Sequence, residues 1–380
     1  MGKAFAADLA DFTKKTGIKV HAISVGPDEL QSAYEASVLA KKEPDVVITN
    51  LYDKSLNWLN TGAALPVTKY LNDWGLKKAI VPAALADWTD SKGQLQAFPF
   101  TGFTWPVWYN TAVLKAAGVD AVPTTFAQLT DAAKKLRAAG KIPMAIGGSD
   151  WSGEKVFFQI LETAMSSSDA KKVMSQGGYC ASKPAMKGIQ GFVQLRNAGL
   201  FPDNAQGLTS GNEDASFQQG GAAILSDGSW SFPSMPASVT ANVKLGGFPL
   251  PEGSPHSKPI AFQAFTDNGI WLTPNGNKRL KDFEAFAKFM LTPSVGKGVL
   301  TAGGALPTVT VQNAGAAVQS QSPLLSSAVT TLPKSVEYGP YPDASVPGPK
   351  TQPITSAISQ AYTSGTSASA ICAALDAAYK

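Results

Sequence analysis

Residues Gly93 to Asn110 read GQLQAFPFTGFTWPVWYN. Leu95 and Ala97 alternate with polar neighbours. Phe98, Phe100, Phe103, Trp105, Val107, Trp108 and Tyr109 then make the run almost wholly apolar and aromatic. Aromatic and β-branched side chains bounded by Gly and Pro read as buried strand, because they pack well on a pleated surface shielded from water. Pro99, Gly102 and Pro106 interrupt the run, so the reading is two short strands joined by a bend. Tyr109-Asn110 then opens a helical segment, TAVLKAAGV. A buried aromatic strand that bends midway and feeds a new helix is either a crossing between two lobes or a core strand of one.

The rest of the chain alternates strands and helices. A helix with Phe5, Leu9 and Phe12 on one face stops at Gly17. Ile18 to Val25 alternates as a strand, a helix runs from about Asp28 to Lys41, and Val46 to Ile48 is a strand ending at Thr49-Asn50. Asp53 to Trp88 is mostly helical. Beyond Asn110, Pro123-Thr124-Thr125 caps a helix, and Ile142 to Ile146 is a strand running into the loop Gly147 to Trp151. Helices follow around Glu154 to Met165 and Ala185 to Ala198. GNEDASFQQGGAAILSDGSW reads as helix, Gly-Gly turn, strand and a loop carrying Asp227 and Trp230. Val243 to Phe248 is a strand. Ile260 to Thr266 with Gly269 to Leu272 looks like a second crossing, and helices follow at Lys278 to Met290 and near Ser367 to Tyr379. Strands separated by helices predict an α/β fold with a largely parallel sheet.

Composition removes several function classes. A chain of 380 residues is long for one core and suggests two domains. With 44% hydrophobic and 16% charged residues it is not a disordered chain. Its net charge of +4 is scattered, without basic blocks, so no nucleic-acid partner is expected. No apolar run reaches the roughly 20 residues of a membrane span. Cys180 and Cys372 stand far apart and His21 and His256 lack ligand-spaced neighbours, so neither a metal nor a cofactor is expected. The two cysteines fit one disulfide of an exported protein as well as two unrelated buried thiols.

GxSxG, HExxH, GxxxxGK[ST] and GxGxxG are absent, and no catalytic residue is assigned. Four carboxylates stand in other company. Asp53 lies near Asn50, Asp150 precedes Trp151, Asp227 precedes Trp230, and Asp267-Asn268 precedes Trp271. Each set lies after or between expected strands, where open α/β sheets place ligand crevices. Sugar recognition uses this mixture: carboxylates and amides bond hydroxyls, and an aromatic face covers the C–H face of a ring. Singly, each aspartate also suits a helix cap or turn.

In order and spacing, FTKKTGIKV, PDVVITN, AFPFTGFTWPVWYNTAVLKAAGV, VPTTFAQLTDAAKKL, SFQQGGAAILSDGSW, SKPIAF and FEAFAKFMLTPSVGKGVLTAGGALP resemble the extracellular solute-binding proteins of ABC importers, in the maltose-binding-like sugar-binding group. The resemblance implies a two-lobe periplasmic-binding-protein-like fold of class II type, with crossing strands as hinge and the ligand in the interlobe cleft. The lobes expected are 1–107 with 262–310, and 108–261 with 311–380. It implies a periplasmic or extracellular monomer, lipid-anchored in a native precursor. Such a protein does no chemistry, binds a mono- or oligosaccharide and delivers it to membrane permease subunits by hinge closure. Residue by residue, Trp230 matches a sugar-stacking tryptophan and Trp151 with Asp150 a second aromatic platform. Asn50 and Asp53 match a hydroxyl-bonding loop. Phe103 stands where some maltose binders carry an acid, Trp105 lines the cleft or packs the hinge, Asp267 and Asn268 mark the return crossing, and Tyr341 lies in a closing loop. Family members begin with a strand inside the first lobe's sheet, whereas this sequence begins at the helix. The expectation is a truncated sequence whose gene adds an export signal and that strand. The alternatives are a binder of a charged solute (glycerol phosphate or a polyamine), a glycosidase using two aspartates, and a surface protein with a vestigial cleft.

Overall fold

In the computed structural model, residues 2–319 and 322–380 are described. Among them the strands are β1 (Val46–Thr49), β2 (Phe98–Trp105), β3 (Val107–Asn110), β4 (Ile142–Met144), β5 (Ala222–Ser226), β6 (Val243–Gly246), β7 (Ile260–Leu272), β8 (Leu306–Pro307) and β9 (Glu337–Gly339). The aromatic run breaks at Pro106, as its composition predicts, because proline cannot supply a ladder N–H. Pro99 and Gly102 stay inside β2 and do not interrupt it. A Cβ on Gly102 would lie 2.6 Å from both the Ala264 carbonyl oxygen and the Phe265 ring, so the missing side chain lets β7 lie close.

The chain divides into two compact units, Met1–Phe103 with Ala264–Ser322 and Thr104–Gln263 with Pro323–Lys380. β2 and β7 are the strands that run from one to the other. The helix Ala314–Val318 packs on the helix Pro293–Gly303.

In the first unit β1 pairs antiparallel with β7, Val46 opposite Leu272 and Thr49 opposite Gly269, and β8 pairs antiparallel with β2. In the second, β3 lies antiparallel between β5 and β6, β4 runs parallel to β5, and the start of β7 runs parallel to β9. The expectation of a largely parallel sheet is therefore corrected. Strand–helix alternation sets direction only for strands joined by a crossover. Here the neighbours in space, such as β1 and β7, are far apart in sequence.

The expected strand at Ile18 to Val25 is likewise absent. This segment is irregular, with Val20 39% and Ile23 73% exposed. Alternation supplies a face, but a strand also needs a hydrogen-bonding neighbour, and none pairs with it among the described residues.

Two helices show how local chemistry sets the second unit. Thr125 Oγ1 accepts from Gln128 N while Gln128 Oε1 accepts from Thr125 N, a capping box that starts the helix Phe126–Ala138. Its buried face carries Phe126, Leu129, Ala133 and Leu136. The helix Trp151–Glu162 is buried from Ser152 to its last residue, packed against the helices Lys183–Asn197 and Thr351–Ala361. It brings Glu154, Lys155, Gln159 and Glu162 into the interior, where each needs a partner or a proton. The helix Ser167–Gln176 was not legible beforehand; Ser166 caps it.

Cys180 and Cys372 form a disulfide across a sequence separation of 192. Beside it, the Asp376 carboxylate accepts from the backbone N–H groups of Gly178, Tyr179 and Cys180 at 2.8, 2.6 and 3.1 Å. These bonds tie the same loop to the last helix whatever the redox state. On the chain-entropy model, closing so long a loop stabilises the native state by roughly 3–5 kcal/mol. Replacing both cysteines with serine is expected to lower the denaturant midpoint by that equivalent while native circular dichroism persists. An unchanged midpoint would assign loop closure to Asp376 alone.

Candidate functional site

Trp105 ends β2 fully buried. Its indole N–H donates to Ser226 Oγ at 3.1 Å, Ser226 donates to Gln159 Oε1 at 2.7 Å, and Gln159 Nε2 donates to the Ile260 carbonyl at 3.1 Å. Strands β2, β5 and β7 and the helix Trp151–Glu162 are thereby held in one register. Around this ring stand three others of the second unit: Trp230 at 5.2 Å, Trp151 at 5.8 Å and Tyr341 at 6.0 Å between centroids, the two tryptophans edge-to-face. Trp151 and Trp230 lie 6.1 Å apart and keep part of their surface exposed, while Tyr341 is buried. Trp230 folds back over its own loop. A Cβ on Gly228 would fall 2.3 Å from the indole, so glycine is required there.

Beside the two half-open indoles is a pocket of about 130 Å³ that Glu213, Asp214 and Asp227 also line. Asp150 shapes it from behind. As N-cap of the helix that Trp151 begins, its Oδ1 accepts from Ser152 N at 3.0 Å, and its Oδ2 accepts from Ser210 N at 2.7 Å. Asp150 therefore clamps two helix starts together rather than offering a free carboxylate. Glu213 Oε2 accepts from Gly147 N at 3.0 Å, and its Oε1 is buried with no hydrogen-bond partner. Burial, then the nearby Asp227, pushes the Glu213 carboxyl well above the usual carboxylate range. Burial, then Asp214, pushes Asp227 up to about 7, with bonds from Ser231 and Gly228 opposing.

Tyr341 is held by an ion pair behind it. Lys155, one turn along the helix from Trp151, has its ammonium 2.6 Å from Asp343, 3.4 Å from Glu154 and 5.5 Å from the Tyr341 ring centre. Burial works against the Lys155 charge, but the two carboxylates outweigh it and hold its pKa above the ordinary value.

The first unit gathers the other expected residues. Leu51 N donates to the Thr266 carbonyl, which sets the Asn50–Asp53 loop beside residues 266–269 of β7. Asn50 is exposed and accepts from Gln31 Nε2 at 2.6 Å. Asp53 adopts φ 49°, a left-handed conformation uncommon for a non-glycine, and is half-buried; burial raises its pKa, opposed by Lys54. Thr101 Oγ1 donates to Asp267 at 2.6 Å and accepts from Asn268 Nδ2 at 3.1 Å. Phe103 is buried in β2. Sequence reasoning missed Glu213, Asp214, Lys155, Asp343 and Thr101. The adjacent acids in GNEDASF were a signal, but a helix without a distinct apolar face hides which of two neighbours turns inward.

The sequence pattern of the bacterial extracellular solute-binding proteins matches residues 1–297. The chain belongs to this family. A probable secreted solute-binding lipoprotein from Streptomyces coelicolor is 41% identical, with 99% of this chain and 94% of that one covered at a TM-score of 0.86. A structure from work on xylan utilisation by Caldanaerobius polysaccharolyticus superposes at 0.83 with 20% identity, covering 99% and 96%. The GacH receptor of Streptomyces glaucescens, solved unliganded and with acarbose and a homologue, superposes at 0.77 with 19% identity, covering 100% and 94%. At such identities the likeness shows the two-lobe α/β fold alone. No curated protein sequence matches the chain. This solute-binding protein is thus of an extracellular family, and none of its described helices is long and apolar enough to cross a membrane.

Two measurements test the electrostatics of this solute-binding protein. A carboxyl whose folded pKa is raised from 3.8 to about 7 binds its proton more tightly in the native state. Stability therefore falls as pH rises from about 4 to 7, by an amount on the order of 2–4 kcal/mol. Asp227→Asn is expected to flatten that part of the pH–stability curve, and an unchanged slope would place the titration elsewhere. Lys155→Met leaves Asp343 buried and unpaired, so a loss of about 3–5 kcal/mol is expected, with recovery of much of it in the double variant Lys155→Met with Asp343→Leu. Thermal or urea unfolding of the three proteins checks this; no recovery would mean that packing rather than charge sets the loss.

Proposed function

We propose that the protein captures a carbohydrate, without chemical change, and delivers it to the membrane permease of an ABC importer by hinge closure. The observation that carries this reading is the pair of half-exposed indoles, Trp151 and Trp230, propped on buried Trp105 beside a pocket of carboxyl and hydroxyl groups. Indole faces cover the C–H face of a pyranose, and the acids and serines bond its hydroxyls. Within the first unit, Asn50, Asp53, Asp267 and Asn268 offer carboxyl and amide groups of the same hydroxyl-bonding chemistry beside buried Phe103, and within the second unit Tyr341 backs the tryptophans. Relatives of the same fold support the class: structures are described as bound to maltose, as bound to acarbose, and as a chitin oligosaccharide binding protein. Closure follows if the ligand has greater affinity for the closed state than for the open one.

The test is a thermal-shift panel of mono- and disaccharides, with glycerol phosphate and spermidine as the charged alternatives. A ligand that binds only the folded state raises its stability with the logarithm of concentration over Kd. A dose-dependent rise with a sugar is expected, and Trp230→Ala is expected to weaken that sugar's affinity at least tenfold by titration calorimetry while the melt stays cooperative. A shift with spermidine or glycerol phosphate alone would overturn the carbohydrate reading. Unchanged affinity in Trp230→Ala would return that residue to packing.

A further inference from the structure

The pocket of the second unit is acidic. Three carboxyl groups, Glu213, Asp214 and Asp227, line it together with Trp151 and Trp230, and no lysine, arginine or histidine does so. Glu213 is 2% and Asp227 5% exposed, so water screens them little. The buried cation on the same helix, Lys155, is engaged by Asp343 and Glu154. Glu213, which lines the pocket, has its Oε1 buried with no hydrogen-bond partner.

A buried polar oxygen of this kind calls for a hydrogen-bonding partner from outside the chain. Hydroxyl groups would satisfy single oxygens but would leave the mutual repulsion of the acids, which after burial is the next cause of the raised Glu213 and Asp227 pKa values. A metal ion is a poor fit, since among the described residues no three His, Cys, Asp or Glu are grouped to hold one. A larger, organic cation is the alternative. An ammonium group donates several hydrogen bonds to separated carboxylates, and an indole face attracts it electrostatically.

Resting on the carbohydrate reading above, we propose that the ligand is a basic sugar, whose protonated amine sits among Glu213, Asp214 and Asp227 with its ring against Trp151 and Trp230. The three acids then choose among sugars of equal shape by charge. An amine beside these acids favours their ionised form and pairs with it, whereas a ligand lacking the amine gains no such ion pair.

Matched sugars test it directly. Titration calorimetry at pH 7 would compare 2-amino sugars and their β-1,4-linked disaccharides with the N-acetylated and 2-hydroxy counterparts, in gluco, galacto and manno configurations. The free amine is expected to bind at least tenfold more tightly than both counterparts. Glu213→Gln and Asp227→Asn are expected to bring that ratio down toward one. If either variant fails to give a cooperative melt, the half-exposed Asp214→Asn serves in its place, with at least a threefold fall in the ratio. Equal or tighter binding of the acetylated or hydroxy sugar overturns the basic-sugar proposal and leaves the carbohydrate reading intact. No binding by any sugar overturns both.

Discussion

The second unit depends on one buried hydrogen-bonded indole. Trp105 spends its single donor on Ser226, and the chain of bonds continues through Gln159 to the Ile260 carbonyl. A ring held so firmly can act as a base for others, and Trp151, Trp230 and Tyr341 each rest on it. If Trp105 were shorter, those rings would have a void to fill, and close-packed interiors leave few voids open. The two tryptophans can stay half-exposed because their buried edges are fixed from beneath.

Around that base the polar groups fall into two kinds. Asp150 and Lys155 are spent on the architecture: one joins two helix starts, the other anchors the loop behind Tyr341. Glu213 and Asp227 are buried with less compensation, and their raised pKa values record it. Charged groups in an interior are ordinarily paired, so acids left short of partners beside an open pocket mark a site that something else completes. The same distinction holds in the first unit, where Asp267 is bonded by Thr101 while Asn50 stays exposed.

Much of the fold was legible because local chemistry decides it. Pro106 breaks the aromatic run, where Pro99 does not, and Thr125 caps a helix through its own neighbours. Trp230 and Trp151 were visible as candidates from their acidic neighbours, and they come together in space. Two expectations failed for a common reason. Ile18 to Val25 has a strand's alternation, and the sheet was read as parallel, yet pairing and direction belong to neighbours that lie hundreds of residues away in sequence. Glu213 was hidden for a related reason, since helical periodicity over GNEDASF does not say whether Glu213 or Asp214 faces the interior.

What the sequence determined by itself was therefore short-range and compositional: the helix caps, the proline break, the apolar runs that must be buried, and the family to which their order belongs. The tertiary structure alone decided which carboxylates are used up as caps and ion pairs, that Cys180 meets Cys372, and that Glu213 lies buried beside Asp227. The physical reason is range. Backbone dihedrals and capping bonds act within a few residues, whereas burial and electrostatic interaction depend on every group that packing brings near, and only the folded chain fixes those.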